Sequence, residues 1–270
     1  MSSDADLPLG LRALTNSPVP GLSIAERRVE NPRATIICIH GGLDRGGSFA
    51  RLARRTEHFN LVAYDRRGYQ GSRSAGPLTL KGHIDDLITL AGREASEGPV
   101  IYFGHSFGGV VALGAAIAAP SSAQLVIAYE SPLPWVLARE SSRPSLSNDP
   151  ALEVEIFFRR MVSNGAWERL SEHERESRRL DGPALLSDLS QLRHGDVPFD
   201  LADLKTPTLY VHGDGVIADY YRALDERLIA TNPIIQVREL AHANHGAHLS
   251  NPDLLAQVID ETWGALCESA

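Results

Sequence analysis

Six short apolar runs, rich in β-branched and aromatic residues, recur along the chain: ATIICI (34–39), NLVAY (60–64), PVIYF (99–103), QLVIAY (124–129), PTLYV (207–211) and IIQVREL (234–240). Most are continuous, where a strand wetted on one face would alternate apolar with polar residues. Continuity is what a strand needs when both faces of its sheet are covered. Stretches with helical spacing lie between the runs. Leu80, Ile84, Leu87, Ile88 and Ala91 form one apolar stripe. Leu254, Leu255, Val258, Ile259 and Trp263 form another, entered through Asn251 as N-cap and Pro252 as the first helical residue. Strand–helix alternation across 270 residues predicts the α/β class, with a mainly parallel sheet and helices on both faces.

The alternation breaks between residue 131 and about residue 203, where no clear strand is found. The segment is dense in charge (RRMVSNGAWERLSEHERESRRL) and helical in spacing. Its apolar residues, Leu152, Ile156, Phe157, Phe158, Met161 and Trp167, exceed what an isolated helix would leave in water. The spacing therefore predicts a helical insertion folded over the sheet with its charges outward. Residues 1–130 and 204–270 then form the core, and 131–203 a helical cap.

Charge narrows the range of partners. A formal net charge of −8 argues against nucleic acid or an anionic membrane surface. The first ten residues, MSSDADLPLG, show neither a basic nor an apolar leader region, and no apolar run approaches the ~20 residues that span a bilayer. Cys38 and Cys267 are far apart, and the ten histidines are scattered without metal-ligand spacing. These features predict a cytoplasmic protein with reduced thiols, no metal and no organic cofactor, acting on a small molecule. They leave its oligomeric state, monomer or homodimer, open.

The chemistry concentrates at the ends of the apolar runs. Gly104-His105-Ser106-Phe107-Gly108 follows one run and opens an alanine-rich helix. A strand–turn–helix of this kind sets Ser106 on a sharp elbow, and the small flanking residues let neighbouring backbone come close. IHGGLDRGG (39–47) ends an earlier run with backbone able to aim N–H groups at a developing oxyanion. YDRRGYQGS (64–72) is a turn-rich stretch, and AHANHGAHLSNP (241–252) joins the last run to the last helix.

In order and spacing, HGG, DRRGYQGS, GHSFGG and NHGAHLSNP resemble the α/β-hydrolase superfamily over nearly all of the chain except its first ~20 residues and the cap. The resemblance implies an α/β-hydrolase core with the helical cap inserted after the sixth strand. By position it makes Ser106 the nucleophile and His245 the general base, with Asn244 where the family has glycine. Phe107 N–H and Gly42 N–H, or Leu43 in its place, become the oxyanion donors. His242 and His248 flank His245 without taking its role, and Asp65 falls outside the family's chain order and reads as a turn carboxylate.

The acid is out of its common place. Three residues past Gly213, where the family's usual pattern has aspartate, stands Val216; Asp214 comes too early and Asp219 too late. Some branches draw the acid from the end of the preceding strand instead. There LVIAY stops on Glu130, which keeps the order Ser, acid, His. Glu130 is thus the expected acid and Asp214 the alternative.

A serine hydroxyl needs an adjacent imidazole to take its proton, so the expected reaction is serine hydrolysis through an acyl-enzyme. A small apolar ester, lactone or thioester is the expected substrate, with Trp135, Phe157, Phe158 and Trp167 as candidate walls of its pocket. Hydrolysis of a carbon–carbon bond in a diketone-like substrate would use the same residues. A non-catalytic binding protein of this fold is the alternative outside enzymes.

Overall fold

Each continuous apolar run forms a strand that splits its side chains between two buried faces. The computed structural model describes residues 10–138, 145–193 and 197–269. The first nine residues, on which most of the leader reading rests, lie outside them, as do residues 139–144 and 194–196 of the expected cap. The strands are β1 (Arg12–Ala13), β2 (Ile24–Arg27), β3 (Thr35–Ile39), β4 (Asn60–Tyr64), β5 (Val100–His105), β6 (Leu125–Tyr129), β7 (Thr208–Gly213) and β8 (Ile235–Leu240). The helices are α1 (Ala50–Arg55), α2 (Leu80–Ala95), α3 (Phe107–Ala118), α4 (Pro150–Met161), α5 (Asn164–Arg169), α6 (Glu172–Arg179), α7 (Gly182–Gln191), α8 (Ala218–Thr231), α9 (Ala247–Ser250) and α10 (Pro252–Ser269).

The strands form one eight-stranded sheet in the order β1-β2-β4-β3-β5-β6-β7-β8. From β4 to β8 every pairing is parallel. The period of two then decides which face each residue serves. Ile37, Ile39, Val62, Tyr64, Val126 and Ala128 pack with Leu87, Val110 and Leu224 of α2, α3 and α8. Ile36, Cys38, Leu61, Ala63, Leu125 and Ile127 face Leu52 of α1 and Leu255 and Ile259 of α10. The α/β class with helices on both faces is what the alternation predicts. The antiparallel strands β1 and β2 are additions to it. They are two and four residues long and partly exposed, too short to stand out as apolar runs.

Parallel strands in register bring their carboxyl ends to one edge, and that edge is where such sheets place ligands. The loop after β3, the turn after β5, the end of β6, the end of β7 and the loop after β8 all meet there. Between β6 and β7 the described residues form α4–α7 and no strand. Val154, Phe158, Trp167 and Leu185 make a small core of their own there, against Leu43 of the loop after β3.

Buried polar contacts fasten these inserted helices to the sheet. The Arg66 guanidinium, fully buried, grips Asp188 of α7 with contacts of 2.6 and 3.1 Å, and the Tyr69 hydroxyl donates to the same carboxylate at 2.7 Å. Arg66 also donates to the carbonyls of His40 and Gly41, so one side chain ties α7 to the β3 loop. Asp181, just before α7, takes bonds from Arg73 and Gln70. Removing one member of a buried pair leaves an uncompensated charge, which costs about 3–5 kcal/mol. Asp188→Ala is therefore expected to lower the unfolding free energy by about that much in urea titrations. A loss below about 1 kcal/mol, the range of exposed pairs, would contradict this anchoring.

Candidate active site

The Ser106 turn is strained, and its neighbours explain why the strain persists. Ser106 has φ +53° and ψ −124° between β5 and α3, a region non-glycine residues rarely occupy. Its N–H donates to the Tyr129 carbonyl at 2.8 Å, and the Gly109 N–H returns to its own carbonyl at 2.9 Å. A β-carbon on Gly104 would lie 2.4 Å from Gly109 Cα, and one on Gly108 would lie 2.1 Å from the Ile39 carbonyl oxygen. Only glycine lets the turn nest this tightly. A β-carbon on Gly41 would come 2.8 Å from Ser106 Cβ, so the loop after β3 lies directly against the serine.

Glu130 ends β6 with φ +46°. Its side chain is only 5% exposed and is satisfied on both oxygens. Oε1 accepts the Gly213 N–H at 3.0 Å, from the end of β7, and Oε2 lies 2.7 Å from His245 Nδ1. The Tyr221 hydroxyl approaches the same Oε2 at 3.4 Å. Burial alone would raise the Glu130 pKa. The hydrogen bond and charge of His245, with the Gly213 N–H, outweigh it and hold the carboxyl below its ordinary value. Since a carboxylate only accepts, the Nδ1–H of His245 points at Glu130 and Nε2 is the ring nitrogen turned away from it. Asp214 is exposed. The structure thus brings Glu130 to His245.

The His245 loop is held by Tyr129 and His105. The Tyr129 hydroxyl donates to the Asn244 carbonyl at 2.6 Å, and His105 Nε2 to the His245 carbonyl at 2.8 Å. Asn244, where the family has glycine, uses its side-chain oxygen to accept the Gly246 N–H at 2.9 Å. His242 is exposed, whereas His248 is buried in α9 with Asp44 Oδ2 3.1 Å away. Asp65 accepts the N–H groups of Gly46 and Gly71, the turn role expected of it.

The remaining expected residues are dispersed. Phe107 opens α3, buried under the Arg66 guanidinium. Leu43 has φ +53°, strained like Ser106 and Glu130, and a β-carbon on Gly42 would touch Leu185 and Phe157 at 3.1 and 3.5 Å. Phe157 is therefore the aromatic residue set against the β3 loop. Phe158 and Trp167 pack on each other with Arg178 and Arg159 over their rings, inside the core of the inserted helices. Trp135 stands elsewhere, edge-on to Phe199 against the α2–α3 side of the core. The faces these helices present follow from how they pack on one another, which local spacing does not encode. Three histidine or carboxylate groups that share no local spacing, Asp44, His105 and His248, are gathered behind the His245 loop.

Arrangement and family agree. A model of the alpha/beta hydrolase family matches residues 36–258. Among curated relatives, a pimeloyl-[acyl-carrier protein] methyl ester esterase of Pectobacterium carotovorum is 26% identical over 245 residues, covering 83% of this chain and 92% of its own. Lipase LipV of Mycobacterium tuberculosis is 33% identical over 94 residues, 35% of this chain and 36% of its own length. A solved lipase-esterase related protein from Clostridium acetobutylicum superposes with a TM-score of 0.67 at 17% identity, covering 89% of this chain and 98% of that one. Among the described residues no helix is long and apolar enough to cross a membrane.

One pH dependence follows from the loop geometry. His40 is fully buried; its Nε2 accepts the Arg66 N–H at 2.8 Å and its Nδ1 donates to the Gly41 carbonyl at 2.7 Å. Protonation would set N–H against N–H, and burial, with the nearby Arg66 charge, holds His40 down to about 3. Below pH ~6.5 the unfolded chain binds a proton that the folded chain refuses until about 3, so stability falls as pH drops through that window. His105, also held to about 3, adds in the same sense. His40→Gln, able to accept and donate, should lose about 2 kcal/mol less than the parent between pH 7 and pH 5 in urea titrations. Equal losses would contradict a neutral buried His40. By its matched family model, its sheet and the order of its motifs, the chain belongs to the alpha/beta hydrolase family.

Proposed function

We propose that the protein is a carboxylic ester hydrolase that works through an acyl-enzyme on Ser106, with His245 as general base and Glu130 as the carboxylate that orients it. The observation that carries this reading is the 2.7 Å contact between Glu130 Oε2 and His245 Nδ1, made at the sheet edge that holds the strained Ser106 turn. With Nδ1–H held by the carboxylate, Nε2 takes the hydroxyl proton as Ser106 Oγ attacks the ester carbonyl. The oxyanion that forms is met by the N–H of Phe107 and that of Gly42 or Leu43. Collapse expels the alcohol, which receives its proton from His245. Water then attacks the acyl group by the same route and frees Ser106. Glu130 stays ionised throughout, stabilising the imidazolium as it forms.

The names of the relatives favour esters over lactones and thioesters; their low identity supports the reaction class rather than a shared substrate. Residues 131–203 serve as a cap, with Phe157 and Leu185 over Gly42 forming the wall nearest the reacting carbonyl. A small apolar acyl group suits that wall.

A fluorophosphonate probe should label Ser106, and Ser106→Ala should lose both labelling and ester hydrolysis. Labelling retained in the alanine variant would refute the assignment. Glu130→Gln keeps shape and removes charge; kcat should fall about 10²–10⁴-fold with circular dichroism unchanged. Asp214→Asn should stay within a few-fold of the parent, and a larger loss there than at Glu130 would reverse the two roles.

The cap reading is tested separately with p-nitrophenyl esters of graded chain length. Phe157→Ala should shift the preferred length, whereas Trp135→Ala should leave the order of substrates unchanged. The opposite pattern would move the acyl wall to the Trp135 side.

A further inference from the structure

We propose that Asp44, His105 and His248 form a binding site for one divalent transition-metal ion of the zinc type. The three residues come from the loop after β3, the end of β5 and α9. Their donor atoms, one from each, lie within 4.8 Å of one another. Asp44 Oδ2 is 3.1 Å from His248 Nε2 and 3.8 Å from His105 Nδ1. Two ligands held about 2.0–2.2 Å from a tetrahedral ion stand roughly 3.4 Å apart, and the two observed separations bracket that value.

No well-aligned hydrogen bond occupies these atoms. Asp44 Oδ1 is taken by the Ser48 hydroxyl, whereas Oδ2, His105 Nδ1 and both nitrogens of His248 are buried without a well-aligned hydrogen bond, Oδ2 and His248 Nε2 meeting at 3.1 Å. His105 and His248 are 5% and 2% exposed. The His105 tautomer is set by its other nitrogen. Nε2 faces the His245 carbonyl at 2.8 Å, which only accepts, so the proton sits there and Nδ1 presents a lone pair. That lone pair and the Asp44 carboxylate face each other across a buried gap, two acceptors with nothing between them to share. A metal ion resolves the conflict, and a ring N–H donated to a backbone carbonyl is the usual support of a metal-ligating histidine. Two imidazole nitrogens and one carboxylate oxygen suit zinc, cobalt or nickel; magnesium and calcium prefer oxygen. The His105 ring lies 4.6 Å from that of His245, so the ion would tie three segments together behind the His245 loop and leave His245 Nδ1 with Glu130.

The test uses the full chain, stripped with a chelator and titrated with zinc chloride by calorimetry and thermal unfolding. One ion per chain should bind, and Tm should rise by about 5 °C or more at a hundredfold excess over Kd. Asp44→Asn and His248→Gln should each weaken binding by about tenfold or more. X-ray absorption of the zinc-loaded parent supplies a reading that does not depend on the variants folding. It should show two imidazoles and oxygen at about 2.0–2.2 Å. Absence of one-to-one binding, unchanged affinity in both variants, or a sulfur ligand from a cysteine would each overturn the proposal.

Discussion

Burying the Glu130 carboxylate at the end of β6 is the constraint around which this sheet edge is organised. A buried carboxylate without partners is costly enough to pick up a proton instead. Glu130 avoids this by drawing three elements to itself: the last N–H of β7, the imidazole of the loop after β8 and the hydroxyl of α8. Gly213 belongs to the strand after which the family's usual pattern places its acid. Here the last N–H of that strand donates to Glu130, at the end of the strand before it.

Backbone strain marks the same edge. Leu43, Ser106 and Glu130 all have φ between +46° and +53° and lie in the loop after β3 and just past the ends of β5 and β6. Such conformations persist only where surroundings over-determine them. Around Ser106 the glycines at 104 and 108 do so; around Leu43 the packing of Leu185 and Phe157 over Gly42 does. Arg66 extends the constraint outward, since the guanidinium that binds Asp188 of α7 also fixes the carbonyls of His40 and Gly41. Arg66 thus joins α7 and the β3 loop in one buried polar network.

The parts of this arrangement that were legible in the sequence are those written locally. Continuous apolar runs predicted β3 to β7 because a strand covered on both faces has no polar register to hide it, and the mixed run IIQVREL predicted the half-wetted β8. β1 and β2 escaped because two and four half-wetted residues carry too little pattern. Ser106 and His245 stood in recognisable turns. Glu130 was legible only through chain order, and its contact with His245 required the register of three strands. The aromatic residues of 131–203 illustrate the limit: Phe157 and Phe158 are adjacent in sequence, yet one is set over Gly42 and the other in a separate core with Trp167. Asp44, His105 and His248 were invisible as a group because they are gathered from three separate segments.

A crystal structure of the enzyme inhibited by an ester-mimicking phosphonate tests the Glu130–His245–Ser106 arrangement most directly. Phosphorus should be bonded to Ser106 Oγ, with His245 Nε2 within ~3.2 Å of that oxygen or of the leaving-group position. The phosphonyl oxygen should lie on the Phe107 N–H and a donor from Gly42 or Leu43, while Glu130 keeps His245 Nδ1. An adduct on another residue, or a His245 ring turned from Glu130 to Asp214, would contradict the arrangement.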